Sequence, residues 1–343
     1  MIERDFMRSE STSDEGKLAI LILAHKNLSQ LIRLVKKFKH SDIDVFIHVD
    51  KKWNLNEEEI NTLSLIGNKN VYICDKRISA FLDKWSLVEA TIELIKRSKQ
   101  VEKEKGRKYI YSALLSGQDY PIKSNDHILN LLKSSYPKPF IDCTPYERNN
   151  FLYVKFNRLP TENKIYMFIN AHMAPSLIRK VFKLPFFALF NSIKIFRNNP
   201  HDRLRALGYK LYGGSAWWLL PDIVVDHILK KYGDPNDTLV SILKDTFTPE
   251  ETFFQIMTME SEVADMVNKK SPNQAFTQEC LTYAHFYDEG KPFVGHPYIL
   301  TMEDYQKIAN LPHCFARKFE ESIDTDILDM IDENILNVKL PSS

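Results

Sequence analysis

The first strongly patterned stretch of the chain is a continuous apolar run over residues 18–24, LAILILA, which stops at His25-Lys26-Asn27. An unbroken run of this length predicts a strand buried on both faces, as in a parallel sheet, running out into a polar loop. Leu28, Leu31, Ile32, Leu34, Val35 and Phe38 then recur at helical spacing, and residues 44–50, DVFIHVD, read as a second strand ending on Asp50. Strand, helix and strand in close succession make a βαβ unit. The alternation continues with a short strand over 71–74, a helix over 85–100, a charged loop over 101–108 and a strand over 109–115 that runs into Ser116-Gly117-Gln118-Asp119. A short helix over 128–132 and a strand over 140–143 complete the first half. In open α/β sheets ligands bind beyond the carboxyl ends of the strands, so the loops carrying His25, Asp50 and Asp119 form the expected nucleotide cleft.

The pattern is less regular over 144–210. Within it, residues 176–197 hold the five basic residues Arg179, Lys180, Lys183, Lys194 and Arg197, no acidic residue and five phenylalanines. Two readings fit: core-facing helices around Pro185 with solvated lysines, or a basic amphipathic surface resting on anionic lipid. Further on, 221–231 predicts a helix with Gly233 past its end, and 279–300 reads as aromatic-rich strands and loops. The tail over 302–336 predicts two helices separated by Phe315-Ala316-Arg317-Lys318-Phe319. No internal repeat or low-complexity linker interrupts the chain. The expected organisation is a disordered lead-in over 1–16, one large α/β domain over 17–320, and a C-terminal helix and tail over 321–343 packed on it.

Composition narrows the partners. The 46 basic and 45 acidic residues cancel, leaving no chain-wide field to favour nucleic acid. Cys74, Cys143, Cys280 and Cys314 are widely spaced, without C-x-x-C or a histidine cluster, which argues against a zinc site and a disulfide-dense scaffold. No apolar segment follows the polar N-terminus, and no stretch is long enough to span a bilayer, so a cytoplasmic protein with reduced thiols is expected.

The densest chemistry lies between residues 213 and 255. Gly213-Gly214-Ser215-Ala216-Trp217-Trp218 suggests backbone brought close to a ligand above a floor of flat side chains. Thr248-Pro249-Glu250-Glu251 places two carboxylates at the start of a helix. Glu251 has two readings: the acidic member of a Thr248-x-x-Glu251 capping box, or a general base that removes a proton from a sugar hydroxyl. Glu250 is the alternative base, expected to face solvent. Asp50 binds a ribose or base edge, or caps its turn. Asp42-x-Asp44 matches the D-x-D pattern of metal-dependent glycosyltransferases but precedes its strand instead of following it. Without a metal, protein cations must neutralise a departing nucleoside diphosphate, and Arg317 and Lys318 are the candidates, or else two solvated charges at a helix end. The absence of Gly-x-Ser-x-Gly, and of G-x-G-x-x-G after a strand, weakens hydrolase and dinucleotide-oxidoreductase readings.

The motifs 23–26 (LAHK), 47–50 (IHVD), 84–86 (KWS), 115–123 (LSGQDYPIK), 214–218 (GSAWW), 248–251 (TPEE) and 315–319 (FARKF) occur in an order that resembles the core-2/I-branching β-1,6-N-acetylglucosaminyltransferase family, which also includes peptide O-xylosyltransferases. The resemblance runs from about residue 17 to residue 320 and suggests a bacterial-type member. It implies a GT-A-like, Rossmann-like mixed sheet flanked by helices, a UDP-sugar donor, inversion at the anomeric carbon and no metal or other cofactor; the expected acceptor is a glycan or, where the 176–197 surface rests on lipid, a lipid-linked glycan. It implies Glu251 as the catalytic base, Lys318 as the residue balancing the diphosphate and Asp50 at the nucleoside. Around them, His25, Asp119, Ser215, Trp217, Trp218, His296 and Arg317 complete the expected donor site. The family's further diphosphate arginine has no match, since its neighbourhood is Gly295-His296-Pro297, leaving His296 or Arg317 as the substitute. The competing expectations are a non-catalytic carbohydrate- or nucleotide-binding protein on the same fold, and a metal-dependent transferase using Asp42 and Asp44.

Overall fold

The computed structural model describes residues 16–66, 70–146, 200–269, 279–286 and 296–337. The lead-in over 1–15 and the basic, phenylalanine-rich stretch over 176–197 lie outside the described residues. The first apolar run is β1 (Lys17–Ala24), followed by α1 (Leu28–Lys37) and β2 (Ile43–Val49). Next come α2 (Glu57–Ile66), β3 (Val71–Ile73), α3 (Trp85–Lys105), β4 (Tyr109–Ser116) and β5 (Asp119–Pro121). After α4 (Asn125–Ser135) come β6 (Phe140–Ile141), β7 (Thr144–Pro145), β8 (Tyr212–Gly213) and β9 (Trp218–Pro221). Two late strands, β10 (Thr282–Ala284) and β11 (Phe315–Arg317), complete the described set.

The main sheet has the order β3-β2-β1-β4-β9-β6. β3, β2, β1 and β4 run parallel, and β9 is antiparallel to both β4 and β6. This is a mixed α/β sheet flanked by helices, as expected. Strand alternation divides the core in two. Leu18, Ile20, Ile22 and Ala24 of β1 point into the layer holding α1 and the C-terminal helix Asp326–Asn334, whereas Ala19 and Leu21 point into the layer holding α3 and the helix Asp222–Gly233. In the order 3-2-1-4 the connections leave β1 and β4 toward opposite sides, and the crevice between their carboxyl ends is where such sheets hold ligands.

Several boundaries differ from the sequence pattern. α3 continues through the stretch read as a charged loop: Val101 is fully buried, and the helix stops only at Gly106, whose φ of 61° an L side chain adopts at a cost. The charges over 102–105 are its solvated last turn. The 128–132 helix is longer, starting where the Ser124 side chain accepts the His127 amide. Residues 315–317 separate two tail helices, Tyr305–Ala309 and Asp326–Asn334, as expected, and themselves form a strand. β11 lies between β10 and β5 in a second sheet, and its register sets Arg317 opposite Asp119.

The tail is fastened by charge. Asp332, on the helix Asp326–Asn334, is almost fully buried. It accepts from Arg33 at 2.7 Å, Lys37 at 2.6 Å and the Tyr120 hydroxyl at 2.8 Å. Arg33 also pairs with Asp329 at 2.6 Å. The four cysteines are buried free thiols, and burial raises the pKa of each. No described helix is long and apolar enough to cross a membrane.

Candidate active site

The loops that follow β1, β2 and β4 lie at the carboxyl ends of parallel strands, and β11 joins the last of them to the 213–217 stretch, which is tied in turn to the 3-10 turn Pro249–Glu251. Gly214 joins two of these pieces. Its amide donates to the Glu251 carbonyl at 3.0 Å, bringing the 213–218 stretch against the paired glutamates. Gln255 adds a second link, its Nε2 donating to the Ser215 carbonyl at 2.7 Å. The reason for glycine at 214 differs from the expected ligand approach. A Cβ there would lie 1.9 Å from the Asp142 carbonyl oxygen, so the close approach is to the protein's own backbone.

The two tryptophans part company. Trp218 is fully buried in β9, 5.2 Å from the Phe254 ring, and cannot touch a ligand. Trp217 lies just before β9, and with Trp218 wholly enclosed no paired floor forms. Trp217 is the half-buried one. The Arg317 guanidinium lies 4.1 Å from its ring centroid, a cation–π stack. Arg317 Nε is also 2.9 Å from Asp119 Oδ1, and Asp119 Oδ2 accepts the Ser116 amide at 2.6 Å. Burial pushes the Asp119 carboxyl up while Arg317 draws it down. Asp119 therefore serves as the counter-ion of Arg317 within the described structure. Ser215 shapes the turn, its Oγ accepting the Trp217 amide at 3.3 Å.

The glutamate pair is arranged unlike the sequence expectation. No capping box forms: Thr248 has a left-handed φ of 49°, and its hydroxyl donates to the Phe247 carbonyl instead of serving as a helix cap. Glu250, expected in solvent, is the buried one. Its Oε1 accepts the Asp83 amide at 3.0 Å, and Oε2 has no hydrogen-bond partner among the described residues. Burial, with Glu251 adding to it, pushes the Glu250 carboxyl up to about 8. Glu251 stays half-buried, at the edge of the turn. The native state thus binds a proton at Glu250 that the unfolded chain releases near pH 4.5, so this residue costs stability increasingly as pH rises toward about 8. Thermal melts of Glu250→Gln against the parent protein should show the variant's advantage widening from pH 5 to pH 8 and levelling above it. A gap independent of pH would mean that Glu250 is ionised in the folded protein.

At the opposite wall, Asp50 is buried and occupied by its own loop: Oδ1 accepts the Lys52 amide at 2.7 Å and Oδ2 the Ala80 amide at 3.2 Å. His25 is exposed at the end of β1. Its crowded position and the Lys26, Lys318 and Lys52 charges lower its pKa, against the pull of Asp50. Lys318 is half-buried. Desolvation and then the charges of Lys26 and Arg317 lower its pKa, and among the described residues no carboxylate lies within ion-pair distance of it. His296 is exposed, its Nδ1 3.1 Å from the Pro297 carbonyl. Asp42 and Asp44 sit at the start of β2, remote from this edge. Asp44 pairs with Arg107 and Tyr109, and Asp42 lies 3.6 Å from Lys133. No group of three or more His, Cys, Asp or Glu side chains suited to a metal ion occurs among the described residues.

The sequence reading missed Glu320. Nearly buried, it accepts from Lys26, from Asn27 and, at 2.9 Å, from Gln118. Those hydrogen bonds hold its carboxyl below the usual range despite its burial. Gln30 reinforces the junction, donating to the Gly117 and Phe319 carbonyls and accepting the Glu321 amide. The β1 loop, the β4 loop and the end of β11 are thereby tied across the crevice.

Comparison with known proteins agrees with this architecture. Residues 18–309 match the family model described as "Branch: Core-2/I-Branching enzyme". Xylosyltransferase 2 of Pan troglodytes is 24% identical over 329 residues, covering 92% of this chain and 33% of the relative. Xylosyltransferase 2 of Mus musculus is 24% identical over 340 residues, covering 95% and 34%. Xylosyltransferase 1 of Homo sapiens is 23% identical over 324 residues, covering 92% and 30%. The chain thus spans about a third of the length of these relatives. With the family model matched over most of its length, the chain belongs to the Core-2/I-branching enzyme family.

Proposed function

We propose that this chain is an inverting glycosyltransferase that moves a sugar, N-acetylglucosamine or xylose, from a UDP-sugar to a hydroxyl of a glycan acceptor without a metal ion. The observation that carries the reading is the link from base to cation. The Gly214 amide holds the Glu251 turn, and three residues on Trp217 carries Arg317, whose neighbour Lys318 has no carboxylate within ion-pair distance among the described residues. Glu251 takes the proton from the acceptor hydroxyl, and that oxygen attacks the anomeric carbon as the bond to UDP breaks. The electron pair leaves on the β-phosphate oxygen, where Lys318 stabilises the developing charge. Arg317, already neutralised by Asp119, contributes chiefly by fixing Trp217 and the backbone that positions Lys318. The occupation of Asp44 by Arg107 and Tyr109 supports metal independence over a D-x-D mechanism.

The xylosyltransferase relatives make xylose one of the two donors to test. The composition of residues 176–197 supports, on sequence alone, peripheral contact with an anionic membrane surface, through which a lipid-linked glycan would be reached. UDP release from UDP-xylose and UDP-N-acetylglucosamine, measured with EDTA present, tests the reading. Turnover should survive chelation, and Lys318→Ala should lower kcat at least about tenfold, because the leaving-group charge is greatest in the transition state. Activity lost with EDTA and restored by Mn²⁺ would favour the metal-dependent alternative. No release from either donor would favour a binding protein.

A further inference from the structure

We propose that Lys26 is a second cation of the diphosphate site, supplied by the loop after β1 and held by Glu320 beside Lys318. The inference rests on the donor reading above and adds a residue to it. Three observations lead there. First, the loop lies at the crevice between β1 and β4, where the strand order reverses, and Glu320 bridges its two walls by binding Lys26 and Asn27 on one and Gln118 on the other. α1 begins at Leu28, so the positive end of its dipole meets the same crevice.

Second, the charge there is unbalanced among the described residues. Lys26, Arg317 and Lys318 converge, and Lys26 is the charged neighbour that depresses the Lys318 ammonium most. Arg317 has Asp119, and Glu320 is the carboxylate serving the other two. Like charges gathered beyond the sheet edge are stabilised by an anion shared between them, and a diphosphate carries enough charge for two. Third, Lys26 is reachable. Its side chain is 39% exposed while Glu320 beneath it is 8% exposed, so a ligand oxygen can meet the ammonium from the open side without breaking the ion pair. The arrangement also answers the missing family arginine: Arg317 is committed to Asp119 and Trp217, and His296 is exposed beside Pro297.

Calorimetric titration with UDP and with uridine isolates the phosphate contacts, with thermal unfolding as the folding control. Lys26→Met should weaken UDP at least about tenfold and leave uridine unchanged, while Lys26→Arg keeps most of the UDP affinity. Should Lys26→Met fail to fold, Lys26→Gln, which still donates to Glu320, takes its place with the same expectation. Unchanged UDP affinity in the Lys26 variant, alongside weakened binding in Lys318→Ala, would overturn the inference and spare the donor reading. Equal weakening of UDP and uridine would mark Lys26 as purely structural and also overturn it. If the parent protein binds no UDP, the donor reading fails and the inference with it.

Discussion

Glu251→Gln should lower kcat by a factor on the order of 10²–10⁴ while leaving UDP affinity nearly unchanged, the usual reach of a general base lost from the chemical step. The substitution keeps the side-chain volume and leaves intact the backbone link in which the Glu251 carbonyl accepts the Gly214 amide. The alternative on sequence grounds was a capping residue, for which the same change costs about 1 kcal/mol of stability and spares turnover. With Thr248 in a left-handed conformation and its hydroxyl turned to Phe247, that alternative has lost its partner. Steady-state kinetics and a melting curve on one variant separate the two. A variant that turns over normally would remove Glu251 from the mechanism, and the same measurement on Glu250→Gln would then show whether the buried neighbour performs the chemistry.

Asp332→Ala should destabilise the protein by about 3–5 kcal/mol, the range for breaking a buried ion pair from one side. Asp332 is the acceptor for Arg33, Lys37 and the Tyr120 hydroxyl, and its removal strands two largely enclosed cations between α1 and the C-terminal helix. Asp329, at 39% side-chain exposure, compensates Arg33 only from the solvent side. Urea unfolding of Asp332→Ala and Asp329→Ala should therefore give unequal losses, with the exposed pair worth less than about 1 kcal/mol. Similar small losses for both would mean that the tail is held by its apolar face, through Ile327, Leu328 and Ile331, and that the charges are incidental.

Much of the fold was legible because its signals are local. The 18–24 run became the parallel strand between β2 and β4 since a strand buried on both faces has no polar side to show. The boundary of α3 was not legible for a related reason: a solvated last turn has the composition of a loop, and only Val101 beneath it marks the continuing core. At the site, sequence motifs named the right segments and misjudged side-chain direction. Trp217 and Trp218 are adjacent in sequence, yet Trp218 is enclosed in the core where β9 begins and Trp217 stays half-buried before it, and Glu250 is drawn inward by the Asp83 amide instead of facing solvent. Glu320 and Asp332 were missed outright. Each looks like one more acidic residue in a charged tail, and their partners, Lys26 and Arg33, lie close to three hundred residues earlier, at separations of 294 and 299. Pairings across such distances leave no periodic trace, and only the closed fold makes them neighbours.

On the proposed function, the Glu251 turn and the Lys318 cluster face one bound nucleotide sugar from opposite ends. The structure of the protein crystallised with UDP and a non-transferable UDP-sugar analogue tests it most directly. The diphosphate is expected at the crevice between β1 and β4, within hydrogen-bond reach of the Lys318 ammonium, and the anomeric carbon oriented toward Glu251. A nucleotide bound at the Asp42–Asp44 end of the sheet, or seated in the crevice with its sugar turned away from Glu251, would contradict it.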